Sequence, residues 1–451
     1  MLTEATADGI ATITEVRLSG DQITLRWKTD TQGVPQTVET RDSLTTGTWK
    51  PISGIQWPQV LSEFTDPNSV TEGSRYYRVV APSPLQERGR ILSVNFHQRL
   101  TRSSIQLVLA LAGVELFISN DVNFYKVEYQ TVGPSGEPAT ASGGMAVPVG
   151  VLGPLPLVSY QHGTELERAE VPSSLNTEAL IAVAMAGTGY LSLAPDYLGL
   201  GTSSFPFHPF HHAKTEATAV VDLLRAARLF ASRSNIVLSG SVFLFGYSQG
   251  GHATLAAHRE IEQFHAAEFQ LKASAPGAGA YDLSGVTTDD VLSGRPQPNP
   301  YYFAYLIAAY QKIYGIAESL PAAFKAPYHV DLPPLLDGFH SGSAVNAKMP
   351  SVPTEVLNPE YLTAFKTNPD HPLRQALKAN NLLDWVPVAP VRLFHCQDDQ
   401  DVLFANSQKA WERLKANGAV SVELRNGGAF DHGGCVPFSL LGAKSWFDSM
   451  K

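Results

Sequence analysis

One serine of the chain stands in a sequence context typical of a catalytic nucleophile. Ser248 is the centre of the stretch Gly246-Tyr247-Ser248-Gln249-Gly250. The apolar residues 242–245 before it predict a buried strand, and residues 251–257 after it predict the start of a helix. A G-x-S-x-G sequence between a strand and a helix predicts a sharp turn, which glycines permit because they lack a Cβ atom. We therefore expect a strained serine whose hydroxyl is exposed above a sheet.

A serine hydroxyl needs an adjacent base, and the base needs an acid that orients it. In such a sheet the acid and then the histidine follow the serine along the chain. Asp398, Asp399 and Asp401 all follow the next-to-last predicted strand. We assign the acid to Asp399, because residues 395–402 resemble the H-G-x-x-D-x-x-V pattern of many hydrolases, with Cys396 in place of the glycine. Asp401 and Asp398 remain the alternatives.

His432 is the predicted base. It follows the last predicted strand, and it is the only one of the thirteen histidines at that place in the chain. Its expected task is to accept the Ser248 proton and pass it to the leaving group, while Asp399 fixes the tautomer of its ring.

Backbone N–H groups should stabilise the oxyanion that develops on the substrate. One expected donor is Gln249, at the start of the helix after the serine. The other should come from the loop after the strand that ends near Tyr160. By resemblance to hydrolases in which the donor follows a glycine, we assign it to Thr164, with Gly163 as the alternative.

Three histidines, His208, His211 and His212, lie close together in the sequence and raise the question of a metal. They have no recognised ligand spacing, and a proline and a phenylalanine interrupt them. We interpret them as packing and polar support near the site, and we predict no metal and no cofactor.

Strands and helices are predicted to alternate from residue 124 to the C-terminus. The predicted strands are 125–129, 139–142, 156–160, 190–194, 242–245, 271–275, 391–395 and 420–424, and the predicted helices are 175–186, 214–231, 407–416 and 437–447. This alternation predicts an α/β fold, with a mostly parallel sheet covered by helices on both faces and the first two strands as an antiparallel pair. The interval 281–386 is too long for one crossover, and we interpret it as a helical cap over the edge where such sheets bind ligands.

The pattern of residues 1–82 differs from this alternation and predicts an all-β sandwich. Short strands are predicted at 13–18, 23–27, 36–40 and 75–80, with turn residues between them. Trp27 and Tyr77 resemble the core tryptophan and the corner tyrosine of a fibronectin type III module. Residues 83–123 are interpreted as a linker with a docking helix over 103–111. This domain shows no clustered catalytic residues, and it is expected to be a spacer that contacts the catalytic domain, or a binder of a polymer surface.

Four stretches together resemble the secretory-lipase-like bacterial esterases of the α/β-hydrolase superfamily. They are residues 160–164, 195–201, 246–250 and 281–285, which read YQHGT, PDYLGLG, GYSQG and YDLSG. The resemblance covers residues 124–451 and implies a serine carboxylic-ester hydrolase that needs no cofactor. Two alternatives stay open at this point: a serine peptidase on the same scaffold, and a surface-binding protein without catalysis.

Composition limits the partners and the compartment. With 451 residues, 44% of them hydrophobic and a net charge of −9, the chain is globular and does not favour nucleic acid or an anionic membrane surface. No apolar run is long enough to span a bilayer. The N-terminus lacks signal-peptide features, which fits a secreted or periplasmic mature form or a cytoplasmic protein.

The two cysteines flank the predicted acid and base. Cys396 lies three residues before Asp399, and Cys435 lies three residues after His432. If both loops border the site, a disulfide would tether them and indicate an oxidising compartment. The alternative is two unrelated reduced thiols.

Overall fold

The computed structural model describes residues 11–20, 22–29, 36–43, 48–53, 55, 59, 61–67, 75–80, 87–151 and 153–451. The chain divides into two compact units, Met1–Glu87 and Arg88–Lys451. The predicted domain boundary near residues 81–84 lies outside the described residues.

The first unit contains two small antiparallel sheets. Its strands are β1 (Ala11–Ser19), β2 (Gln22–Thr29), β3 (Thr37–Arg41), β4 (Lys50–Pro51), β5 (Glu63–Thr65) and β6 (Tyr76–Val80). The strand orders are β1-β2-β5 and β4-β3-β6. Leu25 and Trp27 of one sheet pack in one cluster with Val38 and Val79 of the other, which confirms the all-β domain. The Tyr77 hydroxyl donates to the Asp66 carboxylate at 2.9 Å, and the fibronectin identity of the domain stays a prediction.

A nine-stranded sheet forms the centre of the second unit. Its strands are β7 (Ile91–Leu100), β8 (Val122–Val132), β9 (Pro138–Pro148), β10 (Leu155–Gln161), β11 (Leu191–Pro195), β12 (Leu238–Tyr247), β13 (Gln270–Gly277), β14 (Val391–His395) and β15 (Val422–Asn426). The order is β15-β14-β13-β12-β10-β11-β9-β8-β7. The strands from β10 onward are parallel, whereas β7, β8 and β9 are antiparallel. The predicted α/β-hydrolase sheet with its antiparallel pair is therefore confirmed.

Strand β7 corrects the predicted linker over 83–123. Residues 91–100 pair with β8 along its length, so the second unit begins at Arg88 and not at residue 124. Most side chains of β7 are exposed because it is an edge strand, and its sequence therefore lacks the apolar alternation of a half-buried strand. The predicted helix of this segment is present as α1 (Arg102–Leu111), whose Ile105 is buried.

Twelve further α-helices follow α1 in the described residues. They are α2 (Ala179–Gly187), α3 (Ala213–Arg233), α4 (Gln249–Phe264), α5 (Thr288–Leu292), α6 (Tyr301–Tyr314), α7 (Leu320–Ala323), α8 (Tyr328–Asp331), α9 (Gly342–Asn346), α10 (Pro359–Thr367), α11 (Pro372–Ala379), α12 (Ala405–Ala416) and α13 (Val436–Asp448). None of these helices combines the length and the apolarity needed to cross a membrane.

Helices cover both faces of the sheet because alternate strand residues point to opposite sides. Leu157 packs in the cluster that includes α3, α4 and α12, whereas its neighbour Val158 packs in the cluster that includes α2 and α13. Every residue of β10 is buried, as expected for a central parallel strand. The chain turns from β11 on one side of β10 to β12 on the other, so the carboxyl ends of β10 and β12 meet at the switch point where such sheets bind ligands.

Helices α5 to α11 form the insert between β13 and β14 and have a core of their own. Three contacts join this insert to loops at the carboxyl edge of the sheet. The ring of Tyr305 stacks on Phe210 with centroids 4.7 Å apart, the Tyr310 hydroxyl donates to the carbonyl of His211 at 2.9 Å, and Asn299 donates to Asp401 at 2.7 Å. The insert therefore lies over the edge at which the predicted site residues stand.

Candidate active site

Ser248 sits in a strained turn between β12 and α4. Its backbone has φ +61° and ψ −123°, a conformation that L-residues rarely adopt. The turn holds because Ser248 N–H donates to the carbonyl of Gly277 at the end of β13 (3.0 Å). The side chain is partly exposed, whereas its neighbours Tyr247 and Gln249 are buried. The strain is stored at the residue predicted to act as nucleophile.

The two glycines of the motif are required by close backbone approach. A Cβ atom at Gly250 would collide with the carbonyl oxygen of Gln161 at the end of β10, and one at Gly246 would collide with the carbonyl oxygen of Gly250. Because both contacts are to backbone, no side-chain movement relieves them. The glycines thus let α4 start directly against the loop after β10.

His432 and Asp399 are joined by a short hydrogen bond. The Nδ1 atom of His432 lies 2.6 Å from Oδ2 of Asp399. Because an ionised carboxylate only accepts, Nδ1 carries the proton and Nε2 is left to act as a base. The Tyr247 hydroxyl donates to the carbonyl of His432 at 2.7 Å, which anchors the histidine loop to the residue before Ser248.

Asp399 is buried and held by several donors. Its Oδ1 atom accepts the backbone N–H groups of Asp401 (3.0 Å) and Val402 (2.9 Å), and its Oδ2 atom faces two histidines. Burial alone would raise the pKa of Asp399, but hydrogen bonds from His395 and His432 lower it to about 2. The carboxylate is therefore ionised at neutral pH, as an acid that orients an imidazole must be.

The other two predicted carboxylates lie in different surroundings. Asp398 is exposed, and Asp401 accepts a hydrogen bond from Asn299 of the insert. Of the three, Asp399 is the one whose carboxylate is hydrogen-bonded to His432.

His395 is a second histidine on Asp399, and its role was missed from the sequence. Its Nε2 atom faces both Oδ2 of Asp399 (3.1 Å) and the carbonyl of Val402 (2.9 Å), so Nε2 carries the proton. Its Nδ1 atom lies 2.7 Å from the hydroxyl of Ser407 in α12. The signal was present in the sequence, because His395 is the first residue of the pattern that led to Asp399.

The loop after β10 lies beside Ser248. A Cβ atom built on Gly163 would be 3.9 Å from Cβ of Ser248. Thr164 follows Gly163 directly in this loop, so Thr164 stays the expected second oxyanion donor, with Gly163 as the alternative. Gln249 is the first residue of α4, so its own N–H has no partner within the helix.

The three histidines considered as metal ligands have separate surroundings. The Nε2 atom of His208 lies 2.8 Å from the side-chain nitrogen of Gln249, and His212 caps the N-terminus of α3. The ring of His211 packs edge-to-face against His252, with centroids 4.9 Å apart.

A buried group of ligand-type side chains was not predicted. His211, Glu216 and His252 bring one potential ligand atom each to within 4.8 Å of the others. Glu216 and His252 lie on α3 and α4 and form a 2.6 Å hydrogen bond. No spacing within the sequence could reveal this group, because the packing of two helices creates it.

A disulfide joins Cys396 to Cys435, with Cα atoms 5.8 Å apart. Cys396 follows β14 directly, and Cys435 is the N-cap of α13. The bond therefore links the loop that carries Asp399 to the segment that carries His432.

Comparisons with known proteins indicate the family of the chain. The secretory lipase family matches residues 161–298, which include the loop after β10 and the turn at Ser248. No curated protein matches the chain. The rice cell wall degrading esterase LipA from Xanthomonas oryzae is 34% identical, with a TM-score of 0.72 over 80% of this chain and 96% of LipA.

Two further solved structures are similar. A putative hydrolase from Legionella pneumophila is 28% identical, with a TM-score of 0.75 over 80% of this chain and 97% of its own. Candida antarctica lipase A in its closed state is 17% identical, with a TM-score of 0.60 over 80% of this chain and 81% of its own, a likeness of fold alone. The chain belongs to the secretory lipase family of the α/β-hydrolases and is a carboxylic ester hydrolase.

Proposed function

We propose that this hydrolase acts through a triad of Ser248, His432 and Asp399 and an acyl-enzyme intermediate. The observation that carries the proposal is the 2.6 Å bond between His432 Nδ1 and Asp399 Oδ2, on a loop anchored to the residue before a strained serine. The backbone N–H groups of Gln249 and Thr164 are the proposed oxyanion donors. This arrangement matches the chain order and the roles of an α/β-hydrolase triad.

In the first half-reaction the Ser248 hydroxyl oxygen attacks the ester carbonyl, and Nε2 of His432 takes its proton. The negative charge on the carbonyl oxygen is stabilised by the two N–H donors. The C–O bond to the alcohol then breaks, and His432 gives its proton to the leaving oxygen. The imidazolium that forms is stabilised by Asp399, which stays ionised because its pKa is about 2.

In the second half-reaction water attacks the acyl carbon on Ser248. His432 takes a proton from the water and returns it to the serine oxygen as the acyl bond breaks. The products are the free acid and the restored enzyme, so the cycle requires no cofactor.

The substrate is proposed to carry an apolar part next to the ester. The insert carries aromatic residues on α6, including Tyr302 and Tyr305. Tyr302 is largely buried, and burial together with nearby Asp401 raises the pKa of its phenol to about 12. Its neighbour Tyr305 stacks on Phe210. Uncharged aromatic surface favours an acyl chain or alcohol with hydrocarbon character.

We also infer that the enzyme works outside the cytoplasm, either secreted or periplasmic. The disulfide between Cys396 and Cys435 supports this, because such bonds persist in oxidising compartments. The secretory lipase family points the same way.

The test is hydrolysis of p-nitrophenyl esters of increasing acyl length by wild type and by Ser248→Ala. We expect the substitution to lower kcat by about a thousandfold or more, since it removes the attacking atom. Ser239→Ala, at an exposed serine of the same strand, is the matched control and should keep wild-type kcat. Wild-type activity in Ser248→Ala would refute the triad, and the chain-length optimum would separate an esterase from a lipase.

A further inference from the structure

A buried row of polar side chains begins at the residue after the nucleophile. The side-chain nitrogen of Gln249 lies 2.9 Å from Oε1 of Glu216 on α3 and 2.8 Å from Nε2 of His208. All three side chains are at most 4% exposed. The side chain of a proposed oxyanion donor is thus tied to groups that have no catalytic role in the mechanism above.

The protons in this row are determined by their partners. His208 Nδ1 faces the carbonyl of Leu198 at 2.8 Å, so Nδ1 is the donor and Nε2 the acceptor. Gln249 therefore donates one amide hydrogen to His208 and the other to Glu216. The opposite amide orientation would place its oxygen against the Glu216 carboxylate and is excluded by repulsion.

The row continues from Glu216 to a buried ion pair. His252 Nδ1 lies 2.6 Å from Oε2 of Glu216, and its Nε2 lies 3.0 Å from the carbonyl of Asn380 at the end of α11. Both partners are acceptors, so both ring nitrogens donate and the ring is an imidazolium. Burial alone would raise the pKa of Glu216, but the attraction of His252 and its hydrogen bond lower it to about 2.

Stability alone does not account for such a pair. Two fully buried charges lose their hydration, and well-packed apolar side chains in their place are often as stable or more so. What an apolar replacement would lack is the directed hydrogen bond to Gln249. A carboxylate without its histidine would also place a negative charge near a developing oxyanion.

We propose that Glu216 and His252 are positioning residues, which hold the Gln249 side chain and thereby fix the first N–H groups of α4 toward the oxyanion. The proposal rests on the proposed function, in which Gln249 donates to the oxyanion. A donor must keep its place within fractions of an ångström to favour the transition state over the ground state. The link to Asn380 also joins this support to the insert over the site.

A metal ion is the alternative occupant of the group formed by His211, Glu216 and His252. Metal–ligand distances of about 2.0–2.2 Å hold neighbouring ligand atoms about 3 Å apart. The 2.6 Å between His252 Nδ1 and Glu216 Oε2 is shorter and fits a hydrogen bond. The observations therefore favour the ion pair, and the test includes a measurement of the metal content of the purified enzyme.

The test compares three single variants and one double variant in ester hydrolysis. Glu216→Leu and Gln249→Met each break the row, and each should lower kcat about tenfold or more while KM changes less than twofold. Glu216→Gln should stay within about threefold of wild type, because a glutamine can accept from Gln249 and donate to a neutral His252. The double variant Glu216→Leu, Gln249→Met should be no slower than the slower single variant, since both act through one interaction.

The control is a second histidine–glutamate pair on α4, farther along the helix from the turn, in which His258 is buried and Glu262 is partly exposed. Glu262 lies 2.9 Å from His258 and accepts the N–H groups of Val388 and Ala389. Glu262→Leu should lower the melting temperature and keep wild-type kcat. Affinity for a trifluoromethyl ketone, which mimics the tetrahedral intermediate, should fall with kcat/KM in Glu216→Leu and not in the control.

Three results would overturn the proposal. Gln249→Met with kcat within twofold of wild type would do so even if Glu216→Leu failed to fold, because that variant keeps the ion pair. Additive losses in the double variant would show that Glu216 acts by another route. One equivalent of divalent metal in the purified enzyme, absent from Glu216→Leu, would identify a metal site instead. Undiminished activity of Ser248→Ala, in contrast, would refute the proposed triad itself and not only the positioning role of Glu216 and His252.

Discussion

At the scale of single residues, environment separates side chains that are chemically alike. Asp398, Asp399 and Asp401 lie within four positions, yet one is exposed, one is buried between two histidines, and one binds the insert. Position in the sequence favoured Asp399 only through a resemblance. The contact with His432 depends on the fold, and it gives the assignment a physical basis.

Substitution of the three aspartates should rank them. We expect Asp399→Asn to lower kcat by about a thousandfold to ten-thousandfold, because an amide no longer fixes the productive tautomer of His432. Asp401→Asn and Asp398→Asn should lower kcat less than about fivefold. Steady-state kinetics on p-nitrophenyl butyrate is the measurement, and an equal loss in Asp401→Asn would refute the choice of Asp399.

Buried histidines should make the fold sensitive to acid. Burial lowers the pKa of His162, next to the oxyanion loop, to about 4. The unfolded chain binds this proton near pH 6.5, so the contribution to stability is lost as pH falls from about 6.5 to about 4. His162→Gln should therefore flatten the fall in melting temperature over this range. His97→Gln, at an exposed histidine, should leave the slope unchanged; equal slopes in wild type and His162→Gln would contradict the expectation.

At the scale of elements, the site depends on loops that follow neighbouring strands. The turn at Ser248 follows β12, the loop with the proposed oxyanion donor Thr164 follows β10, and the loop with the proposed acid Asp399 follows β14. Parallel strands end at the same edge of the sheet, so these loops meet there. The disulfide then joins the acid loop to the N-terminus of α13, next to His432.

Removal of the disulfide should cost both stability and activity. The variant Cys396→Ala, Cys435→Ala should lose about 2–4 kcal/mol of unfolding free energy, because the unfolded chain is no longer constrained. We expect lower kcat as well, since the segments of Asp399 and His432 lose a tether. Urea unfolding with and without dithiothreitol measures the loss: the reductant should shift wild type and leave the variant unchanged. If the fully reduced wild type had the same unfolding free energy as the oxidised wild type, this expectation would be wrong.

At the scale of the whole molecule, the division into two compact units predicts that residues 88–451 can fold without residues 1–87. Residues 88–451 include β7 and the whole nine-stranded sheet. Strand β7 covers the edge of β8, and Ile105 of α1 packs in one cluster with Val122 and Phe124. The boundary first expected at residue 124 would remove both elements.

Two truncations test this boundary. The fragment 88–451 should fold and hydrolyse p-nitrophenyl esters with wild-type kcat, because it keeps the sheet and the site complete. The fragment 124–451 should melt at a lower temperature or aggregate, because it exposes the edge of β8 and an apolar cluster. Thermal unfolding followed by circular dichroism measures the melting temperature of each fragment, and esterase assays measure its kcat. An inactive 88–451 fragment beside an active 124–451 fragment would reverse the assignment.

Local patterns in the sequence determined the turn at Ser248 and the parallel sheet around it. The turn needs only a strand, a serine between two glycines, and a helix. Each of these can be recognised within about ten residues of the sequence, the strand and the helix from their hydrophobic patterns. Strands that are buried on both faces, such as β10, are also recognisable locally, because their sequences are nearly continuous apolar runs. Strand β7 was missed because an exposed edge strand carries no apolar pattern, and backbone pairing alone places it.

Tertiary structure decided which distant side chains meet. Asp399 and His432 are 33 residues apart, and Glu216 and His252 are 36 apart. Chain order suggested the first pair through a family resemblance, but nothing suggested the second, because the packing of α3 on α4 brings its members together. Side-chain chemistry can be read from a sequence, whereas a hydrogen bond between separate elements exists only once strand order and helix packing have set the distance.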